Sequence, residues 1–315
     1  MSRNVQKVMH KSVPPELSGV FAAVPTPFRP DGSADAEKLH RILDFLLTKG
    51  VRGFCLGGVT GEYAALGVEE RLSLFEDAAR YIAGRAVLIA GVGAEHCGQV
   101  LRLVQGAAEI GAVAALLPPP FFFHHNSGDV LDFLLSVAPE IPVPVIFYNI
   151  PQFASAVSMD DILHFIGSAP NAVGIKDSSG DKSNLPLLRQ AKTAMPMAFL
   201  TGSDDLFLEA LENGADGAIS GLAAACPELH LALYQAFRTG QTEEARRLQH
   251  LLDALIARIG EFPPPWAIKL ALESRGLDIG SPSLPRGKRQ IARADAFKAW
   301  FQEWIMKCDT ACARM

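Results

Sequence analysis

The sequence has few cysteines and no excess of positive charge. Its 5 cysteines among 315 residues are scattered and odd in number, so they suggest neither a disulfide framework nor a metal-binding cluster. The formal net charge of −5 argues against a surface that binds nucleic acid or an anionic membrane. The scattered cysteines predict a reducing, cytoplasmic compartment, and the negative net charge predicts a small-molecule ligand held in a pocket.

Long apolar stretches are also missing. No run is long enough to cross a membrane as a helix, and the segment 1–17 carries Arg3, Lys7 and Lys11 without the apolar region of a signal peptide. Hydrophobic residues nevertheless make up 49% of the chain and charged residues only 20%, so a large core can form. A chain of 315 residues is either two ordinary domains or one large α/β barrel with extensions.

Short apolar runs alternate with amphipathic helical patterns along most of the chain. The runs predict buried strands at 19–24, 53–56, 87–90, 114–117, 143–148, 172–175, 198–201 and 217–219. Each is followed by a helical pattern with no break in composition, which predicts an α/β fold: a (β/α)₈ TIM barrel over residues 17–238. A doubly wound open sheet is the alternative, but the pattern shows neither the edge nor the crossover reversal that it requires.

After the barrel the pattern is purely helical. Residues 239–306 are predicted to form a C-terminal helical extension packed on the barrel, with proline breaks at 263–265 and 282. Residues 1–16 and 307–315 are expected to be tails. Cys308 and Cys312 fall in the frayed C-terminal tail and are assigned no function.

The sixth predicted strand ends in a lysine and then breaks into a polar loop. Lys176 follows the apolar run 172–175 and precedes Asp177-Ser178-Ser179-Gly180. Burial disfavours the charged form of an amine, and a neutral amine attacks a carbonyl carbon to form a Schiff base. The alternative is an ordinary lysine whose amine reaches the rim and pairs with a carboxylate such as Asp177.

Two further strand ends support the catalytic interpretation. The second strand leads into Gly57-Gly58-Val59-Thr60-Gly61-Glu62, where free backbone N–H groups could hold a carboxylate. The fifth strand ends in Tyr148, whose phenol could transfer a proton. Either feature alone is common in proteins without such a site. Because barrel active sites lie at the carboxyl ends of the strands, the three features together predict a 2-oxo acid bound as a Schiff base.

These segments carry a resemblance to a known family. Gly57 to Glu62, Tyr148-Asn149-Ile150-Pro151 and Gly174-Ile175-Lys176-Asp177 resemble, in order and spacing, the motifs of the dihydrodipicolinate synthase and N-acetylneuraminate lyase family. The likeness runs from about Leu17 to Trp304. It implies class I aldolase chemistry on pyruvate in a (β/α)₈ barrel, without a cofactor or metal, and a homo-oligomer that is a tetramer built from dimers.

The resemblance also implies a role for individual residues. Lys176 resembles the Schiff-base lysine, and Tyr148 resembles the phenol that moves protons and orients the substrate. Thr60, with the backbone N–H groups at Val59 and Thr60, resembles the site for the pyruvate carboxylate. The residues that fall where family members line the acceptor end of the pocket are Ser178, Gly202, Ser203, Asp204, Ile219 and Gly221. The expected substrate-binding set also includes Gly58, Val59, Phe122 and Phe153.

Three positions of the expected active site depart from the family pattern. Val59 stands where the family commonly has Thr or Ser, and Phe122 stands where it has a tyrosine that reaches the site from a neighbouring subunit. Without these hydroxyls we expect a slow or differently tuned enzyme. Phe153 stands where the synthases place an arginine for the carboxylate of the semialdehyde, and a buried phenylalanine cannot replace a bidentate guanidinium. The residues at the lysine-feedback positions differ as well: Val68, Arg71, Glu95, Gln99 and Phe121.

The sequence therefore predicts an aldolase or hydro-lyase on 2-oxo acids that is not a dihydrodipicolinate synthase. Its acceptor aldehyde could be sugar-derived, as Asp204 and Ser178 suggest, or apolar, as Val59, Phe122 and Phe153 suggest. The rival function is a catalytically weak barrel that acts as a binding or regulatory protein, which the missing hydroxyls would allow. Retention of all three expected catalytic residues argues against this rival.

Overall fold

Eight parallel strands close into a barrel in chain order in the computed structural model, which describes residues 12–312. The strands are β1 Gly19–Ala23, β2 Gly53–Leu56, β3 Val87–Gly91, β4 Ala114–Leu117, β5 Val145–Asn149, β6 Ala172–Asp177, β7 Ala198–Thr201 and β8 Gly217–Ser220. Apart from the first residues of β1 and β3, every strand residue is buried, as continuous apolar runs predict. The predicted (β/α)₈ barrel is confirmed.

A shell of helices surrounds the strands. These are α1 Ala36–Thr48, α2 Val68–Ile82, α3 Cys97–Glu109, α4 Ser127–Val137, α5 Met159–Ser168, α6 Asn184–Ala194, α7 Phe207–Glu212, α8 Leu222–Ala225 and α9 Pro227–Arg238. Asp35 begins α1 by accepting a hydrogen bond from the N–H of Lys38, and Ser158 caps α5 in the same way. The pattern after β8 predicts one helix but the structure has two, because Cys226 leaves the helical region before Pro227.

The apolar core has two layers. Inside the barrel, inward side chains from the strands pack together, among them Phe21, Ile146 and Leu200. A larger layer fills the space between the strands and the surrounding helices. Because strand side chains alternate between the two layers, an inward residue near the end of a strand reaches the carboxyl face of the barrel. Tyr148 and Ile219 belong to this inner layer.

Three helices follow the barrel: α10 Thr242–Ile259, α11 Trp266–Ser274 and α12 Lys288–Cys312. The tail predicted to start at residue 307 is wrong, because α12 continues through it to Cys312. Phe297, Phe301 and Trp304 form a buried face of this helix, and Cys308, one turn further on, is fully buried on the same face. Residues 1–11 of the predicted N-terminal tail lie outside the described residues. Within residues 12–312 no helix has the length and apolarity that crossing a membrane requires.

Candidate active site

A cavity of about 480 Å³ opens at the carboxyl ends of the strands. Most of the residues predicted from the sequence line it, namely Val59, Thr60, Tyr148, Phe153, Lys176, Ser178, Gly202, Ser203, Asp204, Ile219 and Gly221. They come from the ends of different strands and the loops that follow, so only closure of the barrel brings them together. Their individual roles remain predictions.

Lys176 and Tyr148 form the centre of the site. They are direct partners in the register between β5 and β6, and each side chain is only 5% exposed. The Lys176 Nζ atom lies 4.1 Å from the centroid of the Tyr148 ring. In the described part of the chain no hydrogen bond or ion pair occupies this amine. A buried amine that is held by neither a hydrogen bond nor an ion pair is free to react with a ligand in the cavity.

Asp177 is not the partner of the lysine. Its Oδ1 accepts hydrogen bonds from Asn149 Nδ2 at 2.8 Å and from the backbone N–H of Ser179 at 3.1 Å. Successive residues of a strand point to opposite faces, so Asp177 faces away from the interior when Lys176 faces into it. The alternative of a rim ion pair between these two neighbours does not hold among the described residues, and the carboxylate instead holds the loop after β6.

The turn after β2 carries Thr60 and is held from two sides. Thr26 donates its hydroxyl to the carbonyl of Gly61 at 2.7 Å, and Glu62 forms a buried ion pair with Lys269. Thr60 lies against the loop after β8, where a Cβ atom added to Gly221 would approach its Oγ1 to 2.8 Å. A glycine at position 221 is therefore what allows the threonine to reach the cavity.

The loop after β7 passes directly over the lysine. The N–H of Gly202 donates to the carbonyl of Asp177 at 2.7 Å. A Cβ atom added to Gly202 would lie 2.0 Å from Ser178 Oγ and 2.5 Å from Lys176 Cε, far inside van der Waals contact. The glycine thus allows the loop to approach the lysine, and Asp204 follows two residues later at the cavity wall.

A buried histidine that the sequence analysis missed stands behind Asp204. His230 of α9 is fully buried, and its Nε2 lies 2.9 Å from Asp204 Oδ1 and 3.3 Å from Ser220 Oγ. Its Nδ1 lies 3.2 Å from the carbonyl oxygen of Cys226. Gln249 Nε2 donates to the backbone carbonyl of Asp204 at 2.9 Å. No sequence motif around His230 predicts its contact with Asp204, because the two residues are 26 positions apart and lie on different elements.

The C-terminal extension covers one side of the cavity with apolar residues, here called the apolar roof, and the sequence did not predict their position over the cavity. Its members are Ile256, Ile259, Phe262, Pro263, Pro264, Pro265, Ala267 and Ile268. Phe153, which the sequence analysis takes as buried, is 50% exposed and stands at the opening of the cavity. The cavity is therefore apolar around most of its wall, with polar groups concentrated on the loops after β2, β6 and β7.

Two predicted substrate-binding residues do not line the cavity of this chain. Gly58 lies behind the wall, where an added Cβ would be 3.8 Å from Cys55 Sγ. Phe122 is 77% exposed on the loop after β4 and packs edge-on against Phe123, with 4.9 Å between ring centroids. The resemblance assigns Phe122 to the site of a neighbouring subunit, and this assignment stays a prediction.

Two nearby acidic groups stay protonated near neutral pH. Burial raises the pKa of the Cys55 thiol to about 11, although the charge of Lys176 acts in the opposite direction. Burial likewise raises the pKa of Tyr63 to about 12, against the lowering effect of Arg71, whose guanidinium carbon lies 5.2 Å from the Tyr63 ring centroid. Because the thiolate is the reactive form of cysteine, Cys55 does not compete with Lys176 as a nucleophile.

Comparison with known proteins agrees with this geometry. A model of the dihydrodipicolinate synthetase family matches residues 16–302. The 4-hydroxy-tetrahydrodipicolinate synthase of Bacillus subtilis is 30% identical over 85% of this chain and 93% of its own length. The enzyme of that name from Archaeoglobus fulgidus is 33% identical over 85% of this chain and 92% of its own length. Dihydrodipicolinate synthase from Aquifex aeolicus has a TM-score of 0.85 at 26% identity, covering 91% of this chain and 98% of that one. The sialic acid aldolase of Ruminococcus gnavus shares the fold, with a TM-score of 0.84 at 24% identity. The match covers 93% of this chain and 99% of that one.

Proposed function

Because this chain belongs to the dihydrodipicolinate synthetase family, and so to the class I lyases that act on 2-oxo acids, we propose that Lys176 forms a Schiff base with pyruvate or another 2-oxo acid. The enzyme then makes or cleaves a carbon–carbon bond to an aldehyde. The observation that carries this proposal is the buried Lys176 amine, which has no hydrogen-bonding partner among the described residues and lies 4.1 Å from the centre of the Tyr148 ring.

Each step of the reaction has a group nearby that suits it. The backbone N–H groups at Val59 and Thr60, with the Thr60 hydroxyl, hold the carboxylate of the 2-oxo acid. The Lys176 amine attacks the C2 carbonyl, and the Tyr148 phenol passes the protons that let water leave. Loss of a C3 proton then gives an enamine, whose C3 attacks the carbonyl carbon of the aldehyde. The same steps in reverse cleave a 4-hydroxy-2-oxo acid.

We further propose that the acceptor is apolar and that the enzyme is not a dihydrodipicolinate synthase, although its relatives carry that name. Lys176 is the one cationic side chain among the lining residues that the structure describes. A semialdehyde carboxylate would therefore enter an apolar chamber without a guanidinium to pair with, which is costly. Phe153 at the opening and the roof around Phe262 instead offer contact to an aromatic or aliphatic aldehyde.

Borohydride reduction in the presence of pyruvate tests the proposal. Intact-mass measurement should show one adduct for each chain, and Lys176→Ala should abolish it. Lys192→Ala is the matched control, because Lys192 is already paired with Asp216 at 2.6 Å and should leave the adduct in place. An adduct that survives in Lys176→Ala would contradict the assignment. Absence of any adduct would instead favour a binding or regulatory role. A screen of 2-oxo acids for release of pyruvate would then identify the substrate.

A further inference from the structure

We propose that Asp204 and His230 form a second proton-transfer pair, which exchanges a proton with the acceptor oxygen while the carbon–carbon bond forms or breaks. The inference rests on the proposed function and extends it to the other end of the cavity. Asp204 is the group that faces the substrate. His230 is a positioning residue, since it is fully buried behind the carboxylate.

The contacts of the histidine ring show why the pair can store a proton. Nδ1 faces the carbonyl oxygen of Cys226 at 3.2 Å, which can only accept a hydrogen bond. The Cys226 Sγ atom also lies 3.9 Å from Nδ1, but the thiol donates to the carbonyl of Leu222 at 3.4 Å, and the Cys226 carbonyl oxygen at 3.2 Å is the nearer partner of Nδ1. Nε2 faces Asp204 Oδ1 at 2.9 Å. With oxygen acceptors at both ring nitrogens, the geometry accommodates a proton between Nε2 and the carboxylate in addition to the one on Nδ1.

The position of Asp204 suits an acceptor oxygen. Its backbone is held by Gln249 at 2.9 Å, and its carboxylate is 13% exposed and lines the same cavity as Lys176. The loop that carries it packs against the lysine at Gly202. Asp205 also lines the cavity, but of these two neighbouring carboxylates Asp204 is the one that contacts His230, at 2.9 Å, and so the one placed to exchange a proton with an acceptor oxygen.

In the direction of condensation, carbon–carbon bond formation and proton transfer proceed together. The enamine C3 donates an electron pair to the aldehyde carbon, and the carbonyl π pair moves to oxygen, which takes the proton from the Asp204–His230 pair. The product is a C4 hydroxyl on an iminium ion, which water hydrolyses from Lys176. Solvent returns a proton to the pair and receives the C3 proton from Tyr148.

Two assays separate the role of the Asp204–His230 pair from that of Lys176. Exchange of pyruvate methyl protons in D₂O, followed by NMR, requires the Schiff base and the enamine but no acceptor. Condensation of pyruvate with benzaldehyde requires the acceptor step as well. For Asp204→Asn and His230→Gln, condensation kcat should fall at least about 100-fold, because general acid–base catalysis contributes roughly 10²–10⁴-fold. The exchange rate and the KM for benzaldehyde should stay within about threefold, since neither depends on the proton of the pair.

Asp253→Asn is the control for a merely structural effect. Asp253 accepts a hydrogen bond from the same Gln249 side chain at 2.9 Å but does not contact Asp204 or His230. The rates of methyl-proton exchange and of condensation should therefore be unchanged in this variant. Unimpaired condensation in Asp204→Asn would overturn this inference alone, even if His230→Gln fails to fold. A parallel loss of exchange and condensation would also overturn it, because the role would then be structural. A wild-type protein that exchanges no methyl protons would overturn the proposed function and this inference together.

Discussion

Gly202 and Lys176 approach each other so closely that a Cβ atom at position 202 would lie 2.5 Å from Cε of the lysine. Gly202→Ala should therefore displace the lysine stem or the loop after β7. We expect adduct formation with pyruvate to slow at least about tenfold, because small misplacements of reacting groups are costly in rate. Gly67→Ala is the matched control: it has no atom within 4 Å of the added Cβ, and it should react at the wild-type rate in the same borohydride assay.

Phe153 should decide whether the enzyme accepts a carboxylate-bearing aldehyde. The wild-type protein is expected to condense pyruvate with aspartate semialdehyde poorly, because none of the cavity-lining residues that the structure describes is an arginine. Phe153→Arg should raise kcat/KM for that semialdehyde at least about tenfold, or 1.4 kcal/mol, and lower it for benzaldehyde. Phe153→Leu, which adds no charge, should leave the preference for benzaldehyde in place. Wild-type rates typical of dedicated synthases would contradict the prediction.

The loop after β4 should mediate association of subunits. Phe122 and Phe123 are 77% and 71% exposed on this chain, and adjacent exposed aromatic rings mark an interaction surface. We expect a tetramer at micromolar concentration by light scattering, and Phe122→Glu should weaken association at least about tenfold. Leu284→Glu is the control, because Leu284 is a separate apolar residue that is 68% exposed. A soluble wild-type monomer would argue against this interface.

The partly buried carboxylate of Glu228 should make stability fall in acid. Burial acts to raise the pKa of Glu228, but its bonds to Arg275 at 2.5 and 3.1 Å and to Lys49 at 2.5 Å outweigh this and lower the pKa below its ordinary value of 4.5. The folded state therefore holds the carboxylate ionised more strongly than the unfolded state. This stabilisation is fully present above pH 4.5 and disappears as the pH falls through the lower folded pKa.

Glu228→Gln should remove that stabilisation at neutral pH. We expect it to reduce the free energy of unfolding by about 2–3 kcal/mol at pH 7, because a partly buried cation loses its charged partner. The difference from wild type should shrink as the pH is lowered below 4.5, in urea titrations at several pH values. Glu243→Gln breaks an exposed pair with Arg246 and should change stability by less than about 0.5 kcal/mol. Equal losses in both variants would refute the prediction.

Much of the barrel follows from the sequence because its signals are local. Apolar runs bounded by glycine or polar residues predict β2, β4 and β7 with the bounds that the structure has, and amphipathic spacing does the same for α2. The start of β5 differs, since Pro144 lacks the N–H that a strand residue would donate and the strand begins at Val145. Lys176, Tyr148 and Thr60 could be grouped in advance, because parallel strands in a barrel present their carboxyl ends on one face.

Only the tertiary structure decided what surrounds those three residues. The apolar roof depends on where the chain folds back after α10, and a helical pattern carries no information about which end of the barrel it will cover. The contact of His230 with Asp204 joins α9 to the loop after β7, and burial of Cys308 depends on which helices pack against the far end of α12. Such contacts join residues far apart in the chain, and their free energy comes from the packing and desolvation of the assembled elements. A pattern within one segment predicts the element, whereas the neighbours of that element are settled by the fold as a whole.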